Sequence, residues 1–406
     1  SYRRLTLPFQ PGITVMVGQN GQGKTNIVEA VWYLSTLSSH RVPHDAALVH
    51  RGESTAIVRA SFLRAGRPLQ VDLEITPGRS NRARLQGQNV SRLRDLLGEV
   101  RAVLFAPEDL GLVKADPDGR RRFLDELLFV IAPRYASVKA DYDRVLKQRG
   151  NLLKQMRSMR RGGSGRSVGG LDPADSAAST LEVWDQQLAQ HGADLLRARL
   201  HLVNRLRPHL GYSYLRVASD EGADQALDLP PDQRGEGSSP ADILYRSDVL
   251  DALGALPGTL PSMREIQDRM LEMLAERHDD EIDRGATLTG PHRDDMEIRL
   301  HDFPAKGYAS HGESWSLALA LRLASYDLLR LEEGDLGVES RPPGASQSFS
   351  ELDVHRRERL GRIVTGASQV LITTANDTDI PDSLDGEIHV VEVSLGEAAP
   401  REGRGL

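Results

Sequence analysis

Gly18-Gln19-Asn20-Gly21-Gln22-Gly23-Lys24-Thr25 decides how the rest of this chain is read. It fits the phosphate-loop pattern G-x-x-x-x-G-K-[ST] at every position, and each residue type has a physical reason. Glycines let the backbone curl so that successive N–H groups converge on phosphate oxygens. Lys24 supplies a point charge for the β and γ phosphates, and the Thr25 hydroxyl suits Mg²⁺. The flanks have the required form. Ile13 to Val17 reads as a β-branched strand, and Asn26 to Leu34 carries apolar residues at helical spacing. A helix starting here adds free N–H groups and its positive dipole end. The signal is strong for a nucleotide and says little about what the nucleotide drives.

Outward from the loop, Ala56 to Leu63 and Leu69 to Ile75 alternate in polarity around a turn at Gly66, and Val103 to Phe105 suits another strand. From Arg120 to about Leu274 the chain turns to long, charged, helix-favouring stretches, notably Asp125 to Met159 and Thr180 to Leu206. Gly162 to Gly170 and Pro230 to Pro240 interrupt them with irregular, Gly- and Ser-rich composition. After Arg284 strands and helices return, with an apolar helix over Ser316 to Leu331 and a buried-type strand over Gln369 to Thr374. The expected fold class is α/β: a P-loop ATPase core of the ABC type, a mixed sheet flanked by helices, assembled from both chain ends around an inserted, mainly helical lobe. The corresponding division is 1–119 and 285–396 for the core, 120–284 for the lobe, and a loose tail at 397–406.

Composition sets the outer bounds. A chain of 406 residues exceeds one hydrophobic core, which predicts two lobes. The absence of cysteine excludes disulfides and thiolate metal sites, and fits a reducing cytoplasm. No apolar run approaches the ~20 residues of a membrane span, so no membrane partner is expected. A net charge of -7 means that any DNA-binding charge must be concentrated locally. Arginines cluster between Arg79 and Arg101 and again at Arg120, Arg121 and Arg122. Composition alone favours a solvated face for each cluster. In its sequence context, the triple arginine admits three equal roles: a contact to DNA phosphates, a clasp at the lobe interface, or a solvated face. His292, Arg293, Asp294 and Asp295 lack metal-ligand spacing and suit an ion-pair network. Trp32, Trp184 and Trp315 sit in helical patterns and suit packing.

A second loop narrows the choice. Ser310-His311-Gly312-Glu313-Ser314 precedes an apolar helix. A hydroxyl residue and a glycine at a helix start make an anion site, because the first N–H groups lack partners within the helix. Two phosphate-binding elements in one chain suggest a composite site, each serving the nucleotide held by the opposite protomer. An N-capped core helix is the plain alternative, and spacing does not separate the two.

This loop resembles the signature motif of ABC-type ATPases, and further stretches resemble the RecF family. These are Pro107 to Asp125, which departs from the family at Ala115; Tyr142 to Arg149; Thr287 to Asp295; and Ser350-Glu351-Leu352-Asp353 with Arg356 and Leu360. The resemblance runs from about Tyr2 to Val393. It implies a two-lobed chain that dimerises on ATP with Mg²⁺, binds gapped DNA or single/double-strand junctions, and helps load the recombinase beside the RecO and RecR proteins. Gly18 to Asn26 would hold the nucleotide. Ser310, Gly312 and Glu313 would reach the γ-phosphate across the dimer, Ser350 and Asp353 would couple the two sites, and Thr374 would be the switch residue.

The chain departs from the family pattern in two places. The family places a further strand ahead of Ser1. More seriously, an ATPase of this class needs an apolar strand ending in acidic residues before Ser350, to hold Mg²⁺ and position water. Here the segment reads Gly337-Val338-Glu339-Ser340-Arg341-Pro342-Pro343-Gly344-Ala345-Ser346-Gln347-Ser348-Phe349, with no carboxylate from Ser340 through Ser350. Adjacent prolines argue against a central strand. Both flanks match while the middle does not, as a pair of compensating frame shifts would produce. As the segment stands, the expectation is nucleotide binding with little or no hydrolysis.

Overall fold

The computed structural model describes every residue except 65, 163–172, 219–238, 335–343, 349–353, 365–366, 385–386 and 402–406. The first third runs β1 (Gly12–Val17), α1 (Lys24–Thr36), β2 (Ala56–Arg64), β3 (Arg67–Ile75), β4 (Arg82–Leu85), β5 (Gln88–Asn89), β6 (Ala102–Phe105), α2 (Leu110–Lys114) and α3 (Pro117–Ile131). The middle holds α4 (Arg134–Gly162), α5 (Pro173–Ala218), β7 (Ala241–Arg246), α6 (Asp248–Ala252), α7 (Met263–Glu276) and α8 (His278–Arg284). The rest is β8 (Asp295–Leu300), β9 (Phe303–Pro304), α9 (Ala305–Tyr308), α10 (His311–Gly334), β10 (Gly344–Ser348), α11 (Val354–Val364), β11 (Gln369–Thr374), β12 (Ile388–Ser394) and β13 (Glu397–Pro400).

The central sheet has the order β13-β12-β1-β11-β10-β6. Strand β1 lies between two strands from the far end of the chain, pairing in parallel with β11 and β12. Both chain ends are therefore needed to build one sheet. Alternation along β1 explains its central place. Ile13, Val15 and Val17 join the core beneath the helical layer, while Met16 joins a second core with Ile27, Val28 and Trp32 of α1. A strand buried on both faces reads as the continuous apolar run seen here. A separate antiparallel sheet, β2-β3-β4-β5, packs over Tyr33 and Leu34 at the end of α1.

Several expectations change. The stretch Asp125 to Met159 is two helices, because Pro133 breaks it between α3 and α4 and Ala132 before it is pushed out of helical geometry (φ -137, ψ 83). The mainly helical middle also carries β7, whose alternating residues pair antiparallel with β8. The expected tail at 397–406 begins as an edge strand instead, since β13 pairs antiparallel with β12 through the turn at Gly396. The largest correction concerns the proline-containing segment. Residues 344–348 do form a strand, β10, parallel to both β6 and β11. The prolines precede the ladder, so no backbone donor is lost within it. Both irregular stretches predicted in the middle of the chain fall largely outside the described residues. Among the described residues, no helix is long and apolar enough to cross a membrane.

Candidate nucleotide site

The phosphate loop leaves the end of β1 beside the end of β11, because their parallel register sets Val17 against Thr374. The Gly18 N–H donates to the Thr374 carbonyl at 3.3 Å. Gly18 is required by contact: a Cβ there would lie 2.1 Å from the Val393 carbonyl oxygen on β12. Gly21 and Gly23 are required by conformation, with φ of 82° and 113°. Gly23 is also the N-cap of α1, with no side chain bonded to the first-turn amides and no acid in that turn. The donors at this helix start remain open to an anion.

Lys24 is 7% exposed, and burial lowers its pKa below the ordinary lysine value. Its ammonium donates to the Gly18 carbonyl and to the Gln19 carbonyl at 2.9 Å. It is thus held inside the curl of the loop with no carboxylate partner. A cavity of about 400 Å³ opens here, lined by Asn20, Gly21, Gly23, Lys24, Thr25 and Asn26 from the loop and by Thr373 and Thr374 from β11. Gln19 and Gln22 shape the loop from its sides, the Gln22 N–H donating to the Gln19 carbonyl at 3.4 Å. The arrangement fits a triphosphate: open amides, one buried cation and no competing acid.

Thr25 is the one lining side chain suited to Mg²⁺, and among the described residues no group of three or more His, Asp or Glu is placed to hold a metal. A bound Mg²⁺ would offset charge between the β and γ oxygens. The Thr374 hydroxyl donates to the Asn376 carbonyl at 3.1 Å and lies 3.4 Å from Asp379 Oδ2, which fixes its orientation at the cavity edge.

Arg41 lines the same cavity and was not legible in the sequence. It is held by Asn26 Oδ1 at 3.3 Å and Glu29 Oε2 at 3.5 Å, while Ser39 bonds both Glu29 and the Arg41 N–H. Glu29 is one residue in an amphipathic helix pattern, and only the returning loop reveals that it aims a cation at the phosphate site.

The second loop is built differently. The Ser310 hydroxyl accepts from the Glu313 N–H at 3.2 Å, and the Glu313 carboxylate accepts from the Ser310 N–H at 2.8 Å. These bonds hold the Glu313 carboxyl below its ordinary pKa. Behind this cap α10 is a core helix, with Leu317, Ala318, Ala320 and Leu321 fully buried. None of Ser310, Gly312 or Glu313 lines the cavity at Lys24. The structure therefore brings Gly18 to Asn26 together with Thr374 and leaves the second loop elsewhere on the same chain. Ser350 and Asp353 lie outside the described residues. Arg322 of α10 does link the two regions, donating to Asp109 Oδ1 at 3.0 and 2.6 Å while its guanidinium sits 5.8 Å from the Trp32 ring of α1.

The triple arginine divides. Arg120 is 5% exposed, pairs with both oxygens of Asp295 at 2.7 and 2.8 Å, and donates to the Leu112 and Ala115 carbonyls. Such an arginine cannot reach a DNA phosphate, which corrects that expectation for Arg120. Arg121 donates to the Asp294 carbonyl at 2.5 Å and pairs with Asp118, while Arg122 is exposed. The block at 287–295 is a buried polar junction. His292 meets the Tyr142 hydroxyl at 2.6 Å, Asp294 accepts from Tyr245 at 2.9 Å, and Thr287 accepts from the buried Arg149. Burial pushes Asp294 up to about 7.

A phosphate loop between a central parallel strand and its helix, in a sheet shared by both chain ends, defines a P-loop ATPase fold of the ABC/SMC-head kind. The family described as RecF/RecN/SMC N terminal domain matches residues 1–393. The chain is 49% identical to the DNA replication and repair protein RecF of Beutenbergia cavernae, covering 95% of this chain and 94% of that one. It is 48% identical to the protein of the same description from Streptomyces avermitilis, covering 96% and 95%. The chain belongs to the RecF family. A solved structure of the recombination mediator protein RecF-ATPrS in the RecFOR pathway shares the fold, with a TM-score of 0.80 over 98% of this chain and 94% of that chain at 22% identity.

Proposed function

We propose that this protein binds ATP with Mg²⁺ at Gly18 to Asn26, with Thr25 on the metal, and dimerises around it to bind DNA in recombinational repair and replication restart. The buried, acid-free placement of Lys24 within the curl of the loop carries the nucleotide reading. In the dimer, Ser310, Gly312 and Glu313 cap the γ-phosphate held by the other copy, Ser350 and Asp353 couple the sites, and Thr374 senses the nucleotide. That the second loop does not line the Lys24 cavity of its own chain supports a two-copy site. Gapped duplex or a single/double-strand junction is the DNA substrate, recombinase loading the outcome, and RecO and RecR the cytoplasmic partners. The description of relatives as DNA replication and repair proteins supports the DNA role. The core takes 1–119 and 285–400, and the lobe 120–284.

The test measures association of the chain and its binding to a gapped duplex, with and without ATP, for wild type and Lys24→Ala. ATP should promote both in wild type and neither in the variant. Equal behaviour of the two proteins overturns nucleotide gating.

A second reading, a clamp that holds nucleotide and DNA without turnover, is favoured by one observation. β10 occupies a central position between β6 and β11 but reads Gly-Ala-Ser-Gln-Ser. Loss of both carboxylates from such a site should lower turnover by several orders of magnitude. Phosphate release with saturating DNA should stay at background, and normal DNA-stimulated turnover would sink this reading. Reading the coding DNA for an acidic-ended apolar strand in another frame tests the frame-shift explanation.

A further inference from the structure

Among the described residues, only two aromatic side chains of Phe, Tyr or Trp stand exposed, and they stack on each other. Phe303 is 57% exposed and Tyr308 71%, with ring centroids 5.4 Å apart and planes 26° from parallel. Their support is firm. Ala305 between them is 2% exposed and its carbonyl accepts from the Ala309 N–H at 3.0 Å. Gly307 takes φ 90° to turn the chain, and Lys306 pairs with Asp116 at 3.1 Å, tying the segment to the start of α3. A pair of rings already stacked on a fixed turn loses little conformational freedom when covered, and aromatic anchors of this kind dominate interfaces.

We propose that Phe303 and Tyr308 are an anchor of the ATP-dependent dimer, packing against a second copy of this chain beside the Ser310–Glu313 loop. The proposal rests on the two-copy reading of that loop. Tyr308 precedes Ser310 by two residues, so their Cα atoms lie within ~7 Å. If the loop caps a phosphate on another copy, the rings stand at the edge of the same seam. Charge agrees with that occupant. On the ring side, Lys114 sits 3.2 Å from His311 at the start of α10. Just beyond Thr374, which lines the nucleotide cavity, the chain carries Asp377, Asp379 and Asp382. Opposed patches of this kind orient two copies head to tail across the nucleotide.

The absence of cysteine makes the test direct. Tyr308→Cys introduces one thiol, and Leu63→Cys on β2, where the native side chain is 75% exposed, gives a control. ATP should slow maleimide modification at position 308 by about 10-fold or more, as expected for burial in an interface, and leave position 63 unchanged. The double variant Phe303→Ala/Tyr308→Ala should weaken ATP-dependent self-association by roughly 30-fold in sedimentation, with ATP binding to the single chain unaffected. If wild type associates with ATP while the thiol of the Tyr308→Cys variant reacts at the same rate and the double variant dimerises normally, this proposal falls and the two-copy reading stands. Failure of wild type to associate removes both. Loss of single-stranded DNA binding with association intact also overturns the proposal, assigning the rings to a base.

Discussion

Two helices of this protein begin with the same grammar, a glycine beside a hydroxyl residue ahead of an apolar run, and their first turns are chemically opposite. At α1 the cap is Gly23, no side chain meets the amides, no acid enters the turn, and a buried ammonium is folded into the preceding loop. At α10 Ser310 and Glu313 satisfy each other's N–H groups, and a carboxylate occupies the turn. Unpaired donors with a buried cation attract phosphate strongly by themselves. A turn whose donors are partly occupied and whose acid repels an anion must wait until phosphate is delivered by another surface. A helix start thus becomes an anion site through what its side chains leave undone.

The largest effect that would break this contrast is at Lys24. Lys24→Ala removes the only cation within the loop and should weaken binding of a fluorescent ATP analogue to the single chain by about 100-fold, the scale of a charged hydrogen bond or two. Gly18→Ala comes next. Its Cβ would overlap the Val393 carbonyl, so the sheet must shift, with a stability loss of about 1–3 kcal/mol in denaturant melts. Ser310→Arg should leave single-chain ATP binding intact while abolishing ATP-dependent association in sedimentation. Preserved association would erase the distinction between the two helix starts. Ser310→Ala is milder, costing the fold about 1 kcal/mol through the lost cap.

The smallest effect is a pH dependence. Glu313 has a folded pKa below its ordinary value of 4.5, so its contribution is complete above 4.5 and fades as pH falls through the lower folded value. Glu313→Gln should flatten melting temperature against pH in that acid window and nowhere else.

Much of this was legible in the order of the residues. The phosphate loop is contiguous, and its φ-permissive glycines, Lys24 and Thr25 announce themselves locally, as do the capped start of α10 and the apolar strand β11. Pro133 was equally visible, though the helical pattern around it masked the break. What stayed hidden depends on contacts between distant segments. Arg41 belongs to the cavity only because Glu29 and Asn26 aim it there. Arg120 is withdrawn from solvent only because β8 brings Asp295 against α3. β13 forms because β12 offers it an edge, and β10 takes its place in the sheet because β6 and β11 flank it on both sides. Local backbone chemistry is written in neighbouring residues, so the chain's own order set the loop, the caps and most elements. Burial and charge pairing depend on which segments meet. The folded arrangement alone settled which arginines face solvent, which carboxylates are paired, and that the two phosphate-binding elements line different parts of one chain.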